Sequence, residues 1–200
     1  MTFPAFYQDI PPLALRDPLA ALLGAAAGGR IDYRYADAVK LAGHSCPTVA
    51  GAWLMARRGL AALYGDGLPE RGGIRVEFRA ARDAGTTGVV GNVLALITGA
   101  AGEEGFKGLG GKQARRDLLR FGVDIAAELR LTRLDTGASV LLDYHPEAVP
   151  PAAELPPLMA RVVGGVAAPG EMAEFARLWQ DRVRRILLEH ADDPALVALK

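Results

Sequence analysis

The segment formed by residues 74–80 alternates strictly between apolar and charged positions. Ile74, Val76 and Phe78 fall on one side of an extended chain, and the arginines and the glutamate between them fall on the other. This period of two predicts a β-strand with one buried face and one solvated face. Other elements of the chain must therefore cover its apolar side.

Two apolar helices are predicted before and after this strand. Pro47 suits the first turn of a helix, and apolar residues then recur at spacings of three and four until Gly65. Residues 88–97 fit either a buried strand or a helix. Two threonines that can cap a helix, Thr86 and Thr87, favour the helix.

Caps, turns and periodicity predict the remaining elements. Asp17 followed by Pro18 is typical of a helix start, and Asp32 is the predicted cap of the next helix. Several prolines between residues 146 and 157 mark the end of the core, beyond which a late helix carries an apolar stripe. The predicted bounds are helices over 19–27, 33–41, 158–163 and 170–190, a short basic helix from 113, and hairpin strands over 125–134 and 138–144.

Composition excludes several classes of function. In 200 residues, Lys plus Arg and Asp plus Glu each number 23, so no excess charge attracts nucleic acid. The single cysteine excludes an internal disulfide and an all-cysteine zinc site within one chain. The apolar run at 19–27 is too short to span a bilayer and residues 1–9 lack Lys and Arg, so we expect a cytoplasmic protein without a membrane partner.

A glycine-dense loop at residues 99–112 invites comparison with phosphate-binding loops, because glycine lets backbone N–H groups approach an anion. A P-loop would need glycine in place of Phe106 and Ser or Thr in place of Gln113. The spacing therefore disfavours a nucleotide site. It favours a tight loop that brings backbone close to a neighbouring site.

The sequence GHSCP at residues 43–47 is the strongest candidate for chemistry. His44 and Cys46 stand at the start of a predicted helix, where partial positive charge favours a thiolate. The two side chains can bind one first-row metal ion, Cys46 can act as a nucleophile assisted by His44, or the cysteine can simply be buried. The candidates for a further ligand or a base are Glu77, Asp83, Asn92, His145 and a second protomer.

Two stretches of the chain resemble the FmdE family, whose members are similar to the E-type accessory chain of formylmethanofuran dehydrogenase. Residues 43–47, at the start of a helix, are similar to the family motif G-H-x-C-P-G. Residues 92–99, with the lysines and glycines within 107–112, are similar to A-D-A-I-Q-x-x-T-G-C-T-x-G-K-G-N followed by G-K. The predicted strand at 74–80 lies between the two motifs, in the order expected for the family.

The resemblance implies an α+β fold. It predicts a small, mainly antiparallel sheet flanked by helices in residues 1–150, then a C-terminal helical extension in residues 151–200 that packs on the core or on a partner chain. It also implies a homodimer and a divalent metal ion near His44 and Cys46, with zinc as the first choice and nickel or iron as alternatives. Asn92 and Thr98 carry over as site positions, whereas Ala100 replaces a cysteine of the family.

We therefore predict an accessory or ligand-binding protein of the FmdE family that holds a divalent metal ion in a cleft. The alternative is an enzyme acting on a small molecule, through metal-activated water with Glu77 or Asp83 as base, or through Cys46 as nucleophile. A purely structural dimer is the third hypothesis. The stripe of the late helix, which includes Phe175 and Trp179, supports a homodimer because the core already has helices enough to cover a small sheet.

Overall fold

The computed structural model describes residues 2–200, and within them six α-helices and two β-sheets form the predicted α+β fold. The helices are α1 (Pro18–Leu22), α2 (Tyr35–Ala42), α3 (Pro47–Tyr64), α4 (Thr87–Thr98), α5 (Leu155–Val163) and α6 (Pro169–Arg184). The strands are β1 (Leu13–Arg16), β2 (Arg30–Tyr33), β3 (Ile74–Phe78), β4 (Leu119–Arg120), β5 (Leu129–Arg133), β6 (Ser139–Tyr144) and β7 (Val197–Leu199). Among the described residues, no helix is long and apolar enough to cross a membrane.

The larger sheet, called the main sheet below, has the strand order β4-β3-β5-β6-β7. β3 runs parallel to β4 and the other pairings are antiparallel, so the sheet is mainly antiparallel, as predicted. Ile74, Val76 and Phe78 are buried in the core, which confirms the predicted strand. Helices α3 and α4 pack on each other and on this apolar face of the sheet. β1 and β2 form a separate antiparallel pair.

Helix α3 is the central element of the core. It begins at Pro47 and ends before Gly65, as predicted, and every residue from 49 to 56 is buried. The helix also carries glycines where it meets the main sheet. A Cβ on Gly59 would lie 2.6 Å from Leu131 Cδ1, so glycine lets the helix backbone come close to β5.

Both ends of the described chain pack on this core. A 3₁₀ helix at Ala5–Asp9 buries Tyr7, whose ring meets Tyr35 edge-on at a centroid distance of 5.0 Å. At the other end, α6 continues into a single π-helical turn at Arg185–Glu189, and β7 then pairs with β6 in the main sheet. Residues beyond 150 therefore contribute to the same core as the residues before them.

Several predicted elements differ from the structure. α1 is capped by Asp17 as predicted but ends at Leu22, and Asp32 lies within β2 rather than at a helix cap. Turns replace the short basic helix predicted from Gln113, because Gln113 adopts a left-handed φ of 56° and Arg115 reaches inward to Asp17. β5 and β6 form the predicted hairpin, with β5 shorter than predicted.

Candidate functional site

His44 and Cys46 lie in the short segment that joins α2 to α3. Gly43 ends α2 in the left-handed conformation, with a φ of 75°, and turns the chain toward α3. Cys46 then occupies the N-cap position of α3, ahead of Pro47 in the first turn. His44 is exposed, whereas Cys46 is only 8% exposed. The segment thus carries a surface imidazole and a largely buried thiol close together.

Both side chains line one open cavity of about 440 Å³, called the Cys46 cavity below. Its other walls include the end of β6 and one face of α6. The residues that form these walls are Tyr144, Pro146, Trp179 and Arg182. The motif segment and the C-terminal helix therefore meet at one cavity.

Hydrogen bonds hold the motif segment against α6 and β6. The carbonyl oxygen of Ser45 accepts from Trp179 Nε1 at 2.9 Å and from Gln180 Nε2 at 3.3 Å. The hydroxyl of Tyr144 donates to the carbonyl oxygen of Pro47 at 2.8 Å. Side chains from distant parts of the sequence therefore fix the backbone on both sides of Cys46.

Buried tyrosines surround the thiol on its inner side. The hydroxyl of Tyr35 lies 2.9 Å from Ser45 Oγ, and burial raises the pKa of Tyr35 far above its ordinary value. Burial raises the pKa of Tyr144 in the same way. Both hydroxyls stay protonated at neutral pH and act as neutral hydrogen-bonding groups. Gly51 makes room for Tyr144, because a Cβ there would overlap its ring.

The ring of His44 is oriented by its own backbone. Its Nδ1 lies 2.9 Å from the carbonyl oxygen of Ala42, which can only accept, so Nδ1 donates and Nε2 keeps its lone pair. Metal-binding histidines are oriented by this kind of contact. His44 also lines a smaller cavity of about 140 Å³ together with Asn92. The structure therefore brings His44 next to both Cys46 and Asn92.

Glu77, a predicted further ligand or base, lies away from the residues that line these two cavities. It is buried beside Arg75 and Arg130, with Oε2 2.8 Å from Arg130 Nε and 3.2 Å from Arg75 Nε. Burial alone would raise the pKa of Glu77, but hydrogen bonds and charge from the two arginines lower it. The carboxylate is therefore committed to a structural ion pair.

The other candidates also stand outside the linings of the two cavities. Thr98 is buried at the end of α4, where its hydroxyl donates to the carbonyl oxygen of Leu94 at 2.7 Å. Asp83 is exposed in the turn before α4. His145 is exposed beside Glu147, with 3.3 Å between Nδ1 and Oε1.

The donor set at the Cys46 cavity contains two strong metal ligands. Imidazole and thiolate suit zinc and several other first-row ions, so His44 and Cys46 fit such an ion in donor type. Within residues 2–200, no group of three or more His, Cys, Asp or Glu side chains is arranged to hold a metal ion. The described chain therefore supplies two of the four ligands that a structural zinc site uses.

Comparison with protein-family models, with curated proteins and with solved structures found no match for this chain. The resemblance to the FmdE family consequently rests on the motif residues at 43–47 and 92–112. Of these, the first motif lines the Cys46 cavity and Asn92 of the second lines the adjoining one.

Sequence reasoning did not identify Tyr144, Trp179 and Arg182 as site residues. Trp179 was expected only in an apolar stripe, yet its ring N–H bonds to the motif backbone. One local signal existed: Trp179 and Arg182 are three residues apart and therefore share a face of α6. Nothing in their local sequence indicates that this face meets residues 44–48.

Proposed function

We propose that this chain is a metal-dependent ligand-binding protein of the FmdE family and that the Cys46 cavity is its binding site. The observation that carries the proposal is that His44 and Cys46, the motif residues, line one cavity with Arg182 and Trp179. His44 Nε2 and Cys46 Sγ would hold a divalent ion, with zinc as first choice and nickel or iron as alternatives. Water, the ligand or a second protomer would fill the remaining positions.

The walls of the Cys46 cavity favour a small anionic ligand with an apolar part. Arg182 is fixed by the carbonyl oxygens of Val149 at 2.7 Å and Pro146 at 2.8 Å, and burial lowers its pKa without removing its charge. The N-terminus of α3 adds partial positive charge. An apolar groove of about 450 Å³, which includes Leu155 and Met159, shares Trp179 and Arg182 with the cavity. The cavity thus offers a charged contact beside an apolar surface.

A bound metal ion would supply Lewis acidity toward a ligand oxygen. The chain's own residues would orient the ligand and limit access of water, with Tyr144 and Trp179 as the rigid walls. The same cavity supports a second candidate function, a cysteine-dependent enzyme. The observation in its favour is that Cys46 stands at the N-cap of an 18-residue helix, where the helix end favours the nucleophilic thiolate.

Alkylation of Cys46 separates these functions. We expect iodoacetamide to modify the metal-free protein at neutral pH faster than a free cysteine peptide, because the helix end stabilises the thiolate. Added zinc should slow the reaction by occupying the sulfur. The extent of modification is followed by mass spectrometry of the intact protein.

The matched control for this experiment is His44→Ala, in which zinc should lose most of its protective effect. Rapid alkylation that zinc does not change would favour the cysteine-dependent enzyme over the metal protein. An inert thiol in the folded metal-free protein, with no effect of zinc, would contradict both functions and assign Cys46 to the core.

We also propose that the protein is a homodimer that associates through the surface around the turn between α5 and α6. Val163, Val166 and Met172 lie there and are 82%, 64% and 54% exposed. Light scattering at micromolar concentration should give the mass of two chains. The double variant Val163→Glu, Met172→Glu should give the mass of one chain, because the interface would have to bury two carboxylates.

Leu68→Glu is the control for the dimer, since Leu68 is 46% exposed in the segment between α3 and β3. This variant should keep the mass of two chains. A mass of one chain for the unmodified protein would disprove the homodimer.

A further inference from the structure

A second cavity, of about 340 Å³, lies between the start of β3 and the turns at residues 113–116. Its lining shares no residue with that of the Cys46 cavity. Two arginines, Arg71 and Arg115, take part in the lining, next to the backbone of Gly72 and Gly73. We call it the Arg115 cavity.

Asp17 bridges the two arginines behind this cavity. Its Oδ1 accepts from Arg115 Nη2 at 2.7 Å, and its Oδ2 accepts from Arg71 Nη1 at 2.9 Å. The same carboxylate caps α1 by accepting from the backbone N–H groups of Leu19 and Ala20. Two guanidinium groups and one carboxylate leave one positive charge without a counter-ion in a largely buried group.

Arg115 is held in a way that leaves one donor group free. It is only 7% exposed, yet its Nη1 has no hydrogen-bond partner within the described part of the chain. Buried arginine nitrogens are normally paired, so an acceptor is missing here. Glycines create the space for this nitrogen: a Cβ on Gly72 would overlap Nη1, and one on Gly99 would lie 2.6 Å from it.

The backbone beside the guanidinium is also unusual. Gln113, which lines the Arg115 cavity, has a φ of 56°, in the left-handed region that favours glycine. Such strain persists only where the surrounding structure imposes it. The chain therefore accepts a costly conformation at the point where it brings Arg115 inward.

The other charged residues that line the Arg115 cavity are exposed, and each has a partner of opposite sign. The pairs are Arg116 with Asp117, Asp135 with Arg133, and Glu70 with Arg16. These pairs are hydrated and neutral as pairs, so they contribute little field at the cavity. The unbalanced charge belongs to the buried group of Asp17, Arg71 and Arg115.

We propose that the Arg115 cavity binds the acid group of a small organic anion, a phosphate or a carboxylate. Guanidinium groups pair with such oxyanions through charge-assisted hydrogen bonds. One ligand oxyanion supplies both the acceptor that Arg115 Nη1 lacks and the missing negative charge. The ring of Tyr64, with the Arg133 guanidinium 4.0 Å from its centroid, provides a flat wall for the remainder of the ligand.

Isothermal titration calorimetry with inorganic phosphate and with citrate tests this site. We expect at least one of the two probes to bind with a dissociation constant of about 1 mM or lower, and to bind more weakly as salt is added. Removing Arg115 would leave Asp17 short of a partner and could unfold the chain. The informative variants are therefore Ala114→Glu and Ala114→Gln, at a position that lines the cavity and is half-buried.

Ala114→Glu introduces a competing carboxylate and should weaken binding by about tenfold or more, whereas the isosteric Ala114→Gln should bind nearly as the unmodified protein does. Circular dichroism confirms that both variants fold. The absence of binding by either probe at about 10 mM, or equal binding by the two variants, would overturn the proposal. Equal binding would place the anion elsewhere, for example in the Cys46 cavity, whose lining does not include residue 114.

Discussion

Replacing Asp17 with alanine should lower the free energy of unfolding by about 3–5 kcal/mol, the range for breaking a buried ion pair on one side. Hydrogen bonds from Ala20 and Arg71 and the charges of both arginines outweigh burial and lower the pKa of Asp17, so the carboxylate is ionised at neutral pH. Without it, Arg115 would be a buried cation with no counter-ion, and α1 would lose its cap. Urea denaturation followed by circular dichroism measures the change.

The matched control is Asp32→Ala. Asp32 is an exposed aspartate in β2 that pairs with Arg30 at 3.1 Å, and exposed pairs contribute about 0–1 kcal/mol. We expect the two variants to differ by more than about 2 kcal/mol. Equal losses in the two variants would show that Asp17 does not stabilise the contact between α1 and the Arg115 cavity.

His44→Ala and Cys46→Ala should each weaken zinc binding by more than about 100-fold, a larger loss than that caused by removing an outer-shell partner. The reason is that each variant removes half of the strong donors that line the Cys46 cavity. Competition with a chelator measures the affinity, and elemental analysis of protein purified without an affinity tag measures the stoichiometry. One ion per chain is expected in the unmodified protein.

His145→Ala provides the control for these two variants, because His145 is an exposed histidine that lies outside the lining of the Cys46 cavity. It should bind zinc as the unmodified protein does. Full zinc occupancy in the double variant of His44 and Cys46 would show that the ion binds elsewhere, and the metal hypothesis for this cavity would fail.

Local signals in the sequence were sufficient for much of the fold. Pro47 and Gly65 bounded α3 because a missing N–H is tolerated in the first turn and glycine ends helices easily. Strict alternation located β3 because its two faces have different surroundings. The hairpin followed from two extended stretches around a short turn at residues 135–137.

Elements defined by distant partners could not be predicted in this way. β4 and β7 contain two and three residues, and they are strands only because β3 and β6 lie beside them. The turn at Arg115 depends on Asp17, 98 residues earlier in the chain. A short basic stretch satisfies helix preferences until such a partner is present, which explains the wrong prediction there.

The candidate site divides in the same manner. The motif at residues 43–47 placed His44 and Cys46 correctly at a helix start, since both lie within one turn of Pro47. Tyr144 and Trp179 join them through hydrogen bonds to the backbone of Pro47 and Ser45, which no local pattern encodes. The chemical groups were therefore readable from the sequence, but the walls of the cavity were not.

The separation of 134 residues between Ser45 and Trp179 sets an order of events during synthesis. At about 5–20 residues per second, a nascent chain carries its thiol for on the order of ten seconds before α6 emerges from the ribosome. During that interval Cys46 lacks the wall that Trp179 and Arg182 later provide. Completion of the Cys46 cavity is consequently a late step, and a stalled or truncated chain displays a cysteine that the finished protein shelters.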